Sequence, residues 1–143
     1  MITEYPSYYR RDEKDGITPP DLGKESTIVE HIVHARGKRS SFTSVSLDRS
    51  KITDFGPQLY RLDAPQLIGD EHQLIEHRSL LESLREIISA SSKAEKAQAL
   101  QAQRYAVRRK EGLIKWTFNT GSIERKDLIQ WAFNHVQKYF SRS

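Results

Sequence analysis

Residues 42–47, Phe42-Thr43-Ser44-Val45-Ser46-Leu47, alternate apolar with small polar side chains, the period of a strand that lays one face on a core. Upstream, Thr27 and Glu30 stand at capping-box spacing and open a helix on which Ile28, Ile32 and Ala35 share a face, with Gly37 ending it. Residues 5–12, Tyr5-Pro6-Ser7-Tyr8-Tyr9-Arg10-Arg11-Asp12, read as an opening strand, followed by polar turns through Pro19-Pro20. Downstream, Gly56-Pro57 marks a turn and Leu59-Tyr60-Arg61-Leu62 a further strand. From about Glu71 to Gln103 the pattern is helical, with Leu74, Leu81, Leu84 and Ile88 at three- and four-residue steps and a break available at residues 90–93. Gly112-Leu113-Ile114-Lys115-Trp116-Thr117-Phe118 reads as a strand entered directly from Glu111. Ser122 then caps a last helix whose stripe is Ile129, Ala132, Phe133, Val136 and Phe140. All five prolines lie in the first 65 residues, so strands and helices occupy separate stretches. The fold class is α+β.

A chain of 143 residues suits one domain, spanning 1–143. With 36% hydrophobic and 29% charged residues it builds a modest core under a wet surface. No run approaches the ~18 apolar residues of a membrane span, and the opening residues 1–16 lack the apolar region of a Sec signal, so none is expected. The absence of cysteine excludes disulfides, thiolate metal sites and thiol nucleophiles. A net charge of +4 is mildly basic, less than a dedicated DNA-binding domain carries.

Few residues group into a chemical motif. His31 and His34, and His72 and His77, lack partners at ligand spacing, so they read as ordinary surface or cap histidines and no metal is expected. There is no GxSxG elbow, Walker loop or GxGxxG. Between Arg104 and Lys126, seven basic residues (Arg104, Arg108, Arg109, Lys110, Lys115, Arg125 and Lys126) face only Glu111 and Glu124. With Tyr105, Trp116 and Phe118 they offer either a nucleic-acid track with stacking platforms or a solvated face over core aromatics. That segment supports an alternative function, a non-enzymatic nucleic-acid-binding module.

One constellation combines several elements: Tyr9-Arg10-Arg11-Asp12 on the first strand, Phe42-Thr43-Ser44-Val45-Ser46 on a middle strand, and Glu111 at the opening of a late strand. In order and spacing it resembles the Arg–Ser–Glu, cholera-toxin-like class of ADP-ribosyltransferases. That class places an Arg in a Y-R-x-D context, then an F-x-S-T-S strand, then a Glu. The similarity runs as spaced motifs from Tyr8 to about Ile123, and the size is like a C-terminal toxin domain of an Rhs-type polymorphic toxin. The resemblance implies two packed, roughly perpendicular sheets with surrounding helices and a central NAD cleft. It implies an antibacterial mono-ADP-ribosyltransferase that uses NAD⁺ as co-substrate and acts in the cytoplasm of a target bacterium. It implies as partners a cognate immunity protein occluding the cleft and an essential macromolecular target, protein or RNA, with no membrane.

Within that resemblance Arg10 grips the NAD⁺ pyrophosphate, with Arg11 as the alternative register; Ser44 orients Glu111; Ser46 supports the strand and the cofactor site. Glu111 holds a ribose hydroxyl and faces the positive charge that develops as nicotinamide leaves. Phe55 or Tyr60 stacks on nicotinamide, and Glu124 is the fallback for Glu111. Two departures matter. Val45 stands where the family has Thr and points away from Ser44, which alters packing only. Arg109 stands two residues before Glu111, where arginine-modifying members carry Glu or Gln, so the acceptor expected here is not arginine.

Overall fold

The computed structural model describes residues 5–34 and 40–143. Six strands, β1 (Tyr9–Asp12), β2 (Phe42–Ser46), β3 (Gln58–Leu62), β4 (Gln73–Ile75), β5 (Glu111–Lys115) and β6 (Phe140–Arg142), form one sheet in the order β4-β5-β2-β1-β3-β6. Every pairing is antiparallel. Among the described residues five α-helices accompany it: α1 (Ile28–Val33), α2 (Ala64–Gly69), α3 (His77–Ala90), α4 (Lys93–Arg109) and α5 (Leu128–Val136). The class is α+β. Among these helices none is long and apolar enough to cross a membrane.

Where two packed sheets were expected, the strands belong to one hydrogen-bonded sheet with a weak seam. β2 aligns with β5 over five residue pairs and β1 with β3 over four, but β1 and β2 meet only at Tyr9↔Ser46. Beyond that pair the two halves splay, so one edge of residues 10–12 has no strand beside it.

Side-chain alternation puts a different core on each face. Tyr8, Val45, Tyr60, Leu62, Ile114 and Trp116 pack with Leu67 of α2 and Val136 of α5. Leu113, on the opposite face of β5, packs with Ile32 of α1, Leu80 and Leu84 of α3, and Ala102 and Ala106 of α4. Glu111 and Leu113 share a face, and their cross-strand partners Ser46 and Ser44 share it too. The splay and this serine-bearing face together locate the site.

Local signals explain most boundaries. Thr27 accepts from the Glu30 N–H at 3.1 Å, the expected cap of α1. The expected end of that helix at Gly37, and Ala35 on its apolar face, lie outside the described residues. Ser91 and Ser92 separate α3 from α4, within the expected break. The opening strand is shorter than 5–12 because Pro6 has no N–H for a ladder. Residues 71–76 are not helical: Glu71 takes a left-handed φ of 69°, closing α2 and releasing β4. Ser122 caps nothing, since α5 starts at Leu128; its buried stripe is Leu128, Ala132 and Val136, while Ile129 is exposed and Phe140 begins β6.

Lys110 ends α4 at φ 48° and ψ 49°, immediately before Glu111. This left-handed conformation costs a side-chain-bearing residue about 1 kcal/mol. Lys110→Gly is therefore expected to raise stability by up to about 1 kcal/mol, and Lys110→Val to lower it by about as much. Chemical denaturation of the two variants reads the difference directly.

Candidate active site

Glu111 is the first residue of β5, and the backbone at and just before it is held from two sides. The Ser46 hydroxyl donates to the Arg109 carbonyl at 2.5 Å and accepts from the Asp48 N–H at 3.0 Å. The protonated Nδ1 of His77 donates to the Glu111 carbonyl at 2.8 Å. Gly112 follows because Tyr8 crosses there: a Cβ would lie 2.8 Å from the Tyr8 ring.

The Glu111 side chain is only 2% exposed. Its Oε2 accepts from the Ser44 hydroxyl at 3.2 Å, and Oε1 lies 3.8 Å from an Arg109 nitrogen. Burial pushes its carboxyl from 4.5 to about 7, against the pull of Arg109, the Ser44 hydrogen bond and Arg10. Arg109 itself is clamped, its guanidinium carbon 4.9 Å from the Phe55 ring centroid and 4.7 Å from that of Tyr105.

His31 of α1 completes the arrangement. Its Nε2 is 2.6 Å from Ser44 Oγ and its Nδ1 2.7 Å from Ser40 Oγ. Burial, and then the charges of Arg10 and Arg109, hold it down at about 4, so the ring is neutral. With the Ser44 proton given to ionised Glu111, Nε2–H donates to Ser44 and Nδ1 accepts from Ser40, which in turn accepts from the Phe42 N–H. The result is a directed chain from Ser40 through His31 and Ser44 to Glu111.

Arg10 bridges the splay. Its Nε donates to Asp12 Oδ2 at 2.7 Å and its terminal nitrogen to the Ser44 carbonyl at 2.8 Å. It replaces the strand hydrogen bonds that β1 and β2 no longer make. Burial of Asp12 is outweighed by Arg10 and by hydrogen bonds from Thr18, which hold its carboxyl below the usual range. Arg11 donates once, to the Gly56 carbonyl at 3.2 Å.

A cavity of about 540 Å³ opens over these groups, bordered by Arg10, Arg11, Ser44, Phe55, Arg109 and Glu111. The expected Arg10, Ser44 and Glu111 thus converge, and Phe55 joins them. Two expected cofactor residues do not. Tyr60 is buried in the core, its hydroxyl donating to the Glu13 carbonyl, and Ser46 is spent on the α4–β5 junction; neither borders the cavity. The reason is register: Tyr60 sits opposite Arg10 but is covered by the core, and Ser46 lies one pleat beyond Ser44. Glu124 is exposed, pairs with Lys126 at 3.3 Å and lies away from the cavity.

Sequence reading missed His31, taken for a surface or cap residue. The available signal was its place next to Ile32 and three residues after Ile28, on the edge of the buried stripe. His72 is also buried, accepting from the Thr117 N–H and reaching Tyr139. Trp116 is buried as well, its indole N–H donating to Thr43. Among the described residues no group of three or more His, Cys, Asp or Glu could hold a metal ion. No protein-family model, curated protein or solved structure matches the chain.

Proposed function

We propose that the chain is an NAD⁺-dependent mono-ADP-ribosyltransferase of the Arg–Ser–Glu, cholera-toxin-like kind, serving as the toxin domain of an Rhs-type antibacterial effector. One observation carries the reading: Arg10, Ser44 and Glu111, spaced far apart in the chain, meet at one cavity together with an aromatic, Phe55. Its volume of about 540 Å³ falls in the range of small-molecule sites.

The chemistry assigns each group a task. The bond between ribose C1′ and the nicotinamide nitrogen breaks, and nicotinamide leaves neutral with the electron pair. An acceptor lone pair forms the new bond to C1′, and the acceptor loses a proton. Ionised Glu111 lowers the energy of the positive charge that builds on the ribose, and its carboxyl near 7 suits it to hold or take a proton at neutral pH. Ser44 and His31 fix the carboxylate's rotamer, while Arg10 keeps the two strands at the distance the cavity requires.

Arg109 supports an acceptor other than arginine. It stands 3.8 Å from the carboxylate and is pinned between two rings, so an incoming guanidinium would meet a fixed like charge. A hydroxyl, carboxylate or nucleic-acid group suits this surrounding better. The macromolecule modified would be an essential component of the bacterial cytoplasm, protein or RNA, and a cognate immunity protein would plug the cavity. The alternative nucleic-acid module retains its positive charge at residues 104–126, but Trp116 serves the core rather than a stacking platform.

The test incubates the protein with labelled NAD⁺ and bacterial lysate, with nuclease- and protease-treated lanes. Label is expected in a macromolecule, together with nicotinamide release, and both should vanish in Glu111→Ala. A folded protein that releases no nicotinamide and transfers no label would sink the transferase.

A further inference from the structure

The helix α4 buries its small residues and exposes its large ones. Its buried positions are Ala99, Ala102 and Ala106, and the last two pack with Ile32 of α1, Leu80 and Leu84 of α3 and Leu113 of β5. Its only large aliphatic residues, Leu100 and Val107, are 40% and 54% exposed. They are two of the three large hydrophobic side chains that the described residues leave open to solvent. Alanines on the inner side let the helix lie close to the sheet, while the leucine and the valine face outward, where an isolated domain gains nothing from them.

The surroundings of these two residues are cationic. At about 100° per residue, Lys93, Lys96, Arg104 and Arg108 all fall within about 80° of Leu100 around the helix. Glu95, the single acidic residue of α4, stands about 140° away, in the first turn, where it suits the helix N-terminus. All four cations are exposed, and none enters an ion pair among the described residues. The stripe from Lys93 to Arg108 runs about 22 Å along the helix. None of its residues borders the cavity, which α4 reaches only through Arg109 on its other side.

Leu100 and Val107 stand one heptad apart, so a single helix laid beside α4 meets both. Basic flanks along that seam select acidic flanks on the partner. We propose that the outer face of α4 docks an amphipathic helix of a partner protein, with an apolar seam against Leu100 and Val107 and glutamate or aspartate along its borders. A second copy of this face would set like charges against each other. A nucleic acid would leave both aliphatic side chains against hydrated phosphates, and the stripe offers no ring for a base to stack on. Tyr105, the single aromatic of α4, is turned to Arg109, 4.7 Å from its guanidinium carbon. A membrane surface takes a broad apolar face with large rings, and this face has two aliphatic residues. The surface is separate from the cavity, so the inference stands apart from the proposed reaction.

The experiment follows the anisotropy of a labelled helical peptide about three heptads long, with leucine in its seam and glutamate along its borders. A counterpart carries lysine in place of glutamate. Both are titrated against the wild-type chain, the double variant Leu100→Ser with Val107→Ser, and the double variant Arg104→Glu with Arg108→Glu. Thermal melts establish that each is folded, and Leu100→Gln stands in for the serine variant should that one unfold. The acidic peptide is expected to bind wild type, and the serine variant to weaken it about ten-fold or more at every salt concentration. The glutamate variant is expected to weaken it mainly at low salt and to flatten its salt dependence. Wild-type protein that binds the acidic peptide no better than the basic one overturns the proposal, and so does a loss below about three-fold in the serine variant. A uridine oligonucleotide and vesicles of phosphatidylcholine with phosphatidylserine are titrated in parallel. Either one binding more tightly than the acidic peptide, and lost in the glutamate variant, overturns the partner helix in favour of that ligand.

Discussion

Glu111→Gln is expected to cut nicotinamide release by about two to three decades and, in the same molecule, to make the fold more stable at pH 8. The first effect follows from losing the one carboxylate that faces the developing positive charge, a contact worth about 2.7–4 kcal/mol in comparable sites. The second follows from burial. A carboxyl raised from 4.5 to about 7 by desolvation binds its proton more tightly in the folded state than in the unfolded one. Its contribution to stability is complete below pH 4.5 and is lost as pH rises through 7. Above that, the folded protein carries a buried carboxylate at a cost of about 3 kcal/mol. Glutamine fills the same volume, still accepts from Ser44 and never ionises. Denaturant melts at pH 5 and pH 8 should therefore find the variant close to wild type at the lower pH and about 1–3 kcal/mol more stable at the higher. A variant destabilised at pH 8 would mean that Arg109, Ser44 and Arg10 compensate the carboxylate fully. The same titration predicts that wild-type activity rises with pH through about 7, as Glu111 ionises.

His31→Gln is expected to lower activity about ten- to hundred-fold and to unmask a fall of stability with rising pH. His31 is displaced from 6.5 to about 4, a shift similar in size to that of Glu111 and opposite in sense. Its contribution to stability is complete above pH 6.5 and is lost as pH falls through 4, because folding forces a buried imidazole to stay neutral. Between pH 4.5 and 6.5 the two groups therefore pull against each other, each by up to about 1.4 kcal/mol per pH unit. Wild-type protein should show little net slope from this pair. His31→Gln, with Glu111 left alone, should lose stability as pH rises, and Glu111→Gln, with His31 left alone, should gain it. Parallel slopes in the two variants would contradict the arrangement. A histidine open to solvent would leave the slope unchanged, so the pH series reads whether His31 is buried as the neutral ring.

Much of this arrangement was readable before folding. The alternation of Phe42 to Ser46 identified β2, and the Thr27–Glu30 cap set the register of α1. The helix-to-strand change at Glu111 put that carboxyl at the first position of β5. Short elements were not readable. β4 and β6 have three residues each, too few to express a period, and Leu74 fits a helical step as well as a strand step. The start of α5 was misplaced because Ser122 has the chemistry of a cap without the backbone position.

Local periodicity, the α+β class and the order Arg10, Ser44, Glu111 along the chain are therefore legible in the residues alone. Which of those side chains share a space, and how each is charged there, follows from the fold. Tyr60 and Ser46 have the right composition for a binding site but the wrong neighbours. His31 has an ordinary composition and decisive neighbours in Ser40 and Ser44. The two arginines are indistinguishable as letters; in the fold Arg10 pairs with Asp12, while Arg11 donates to the Gly56 carbonyl. Periodicity is a property of neighbours along the chain, whereas burial, charge pairing and proton affinity are set by neighbours across it.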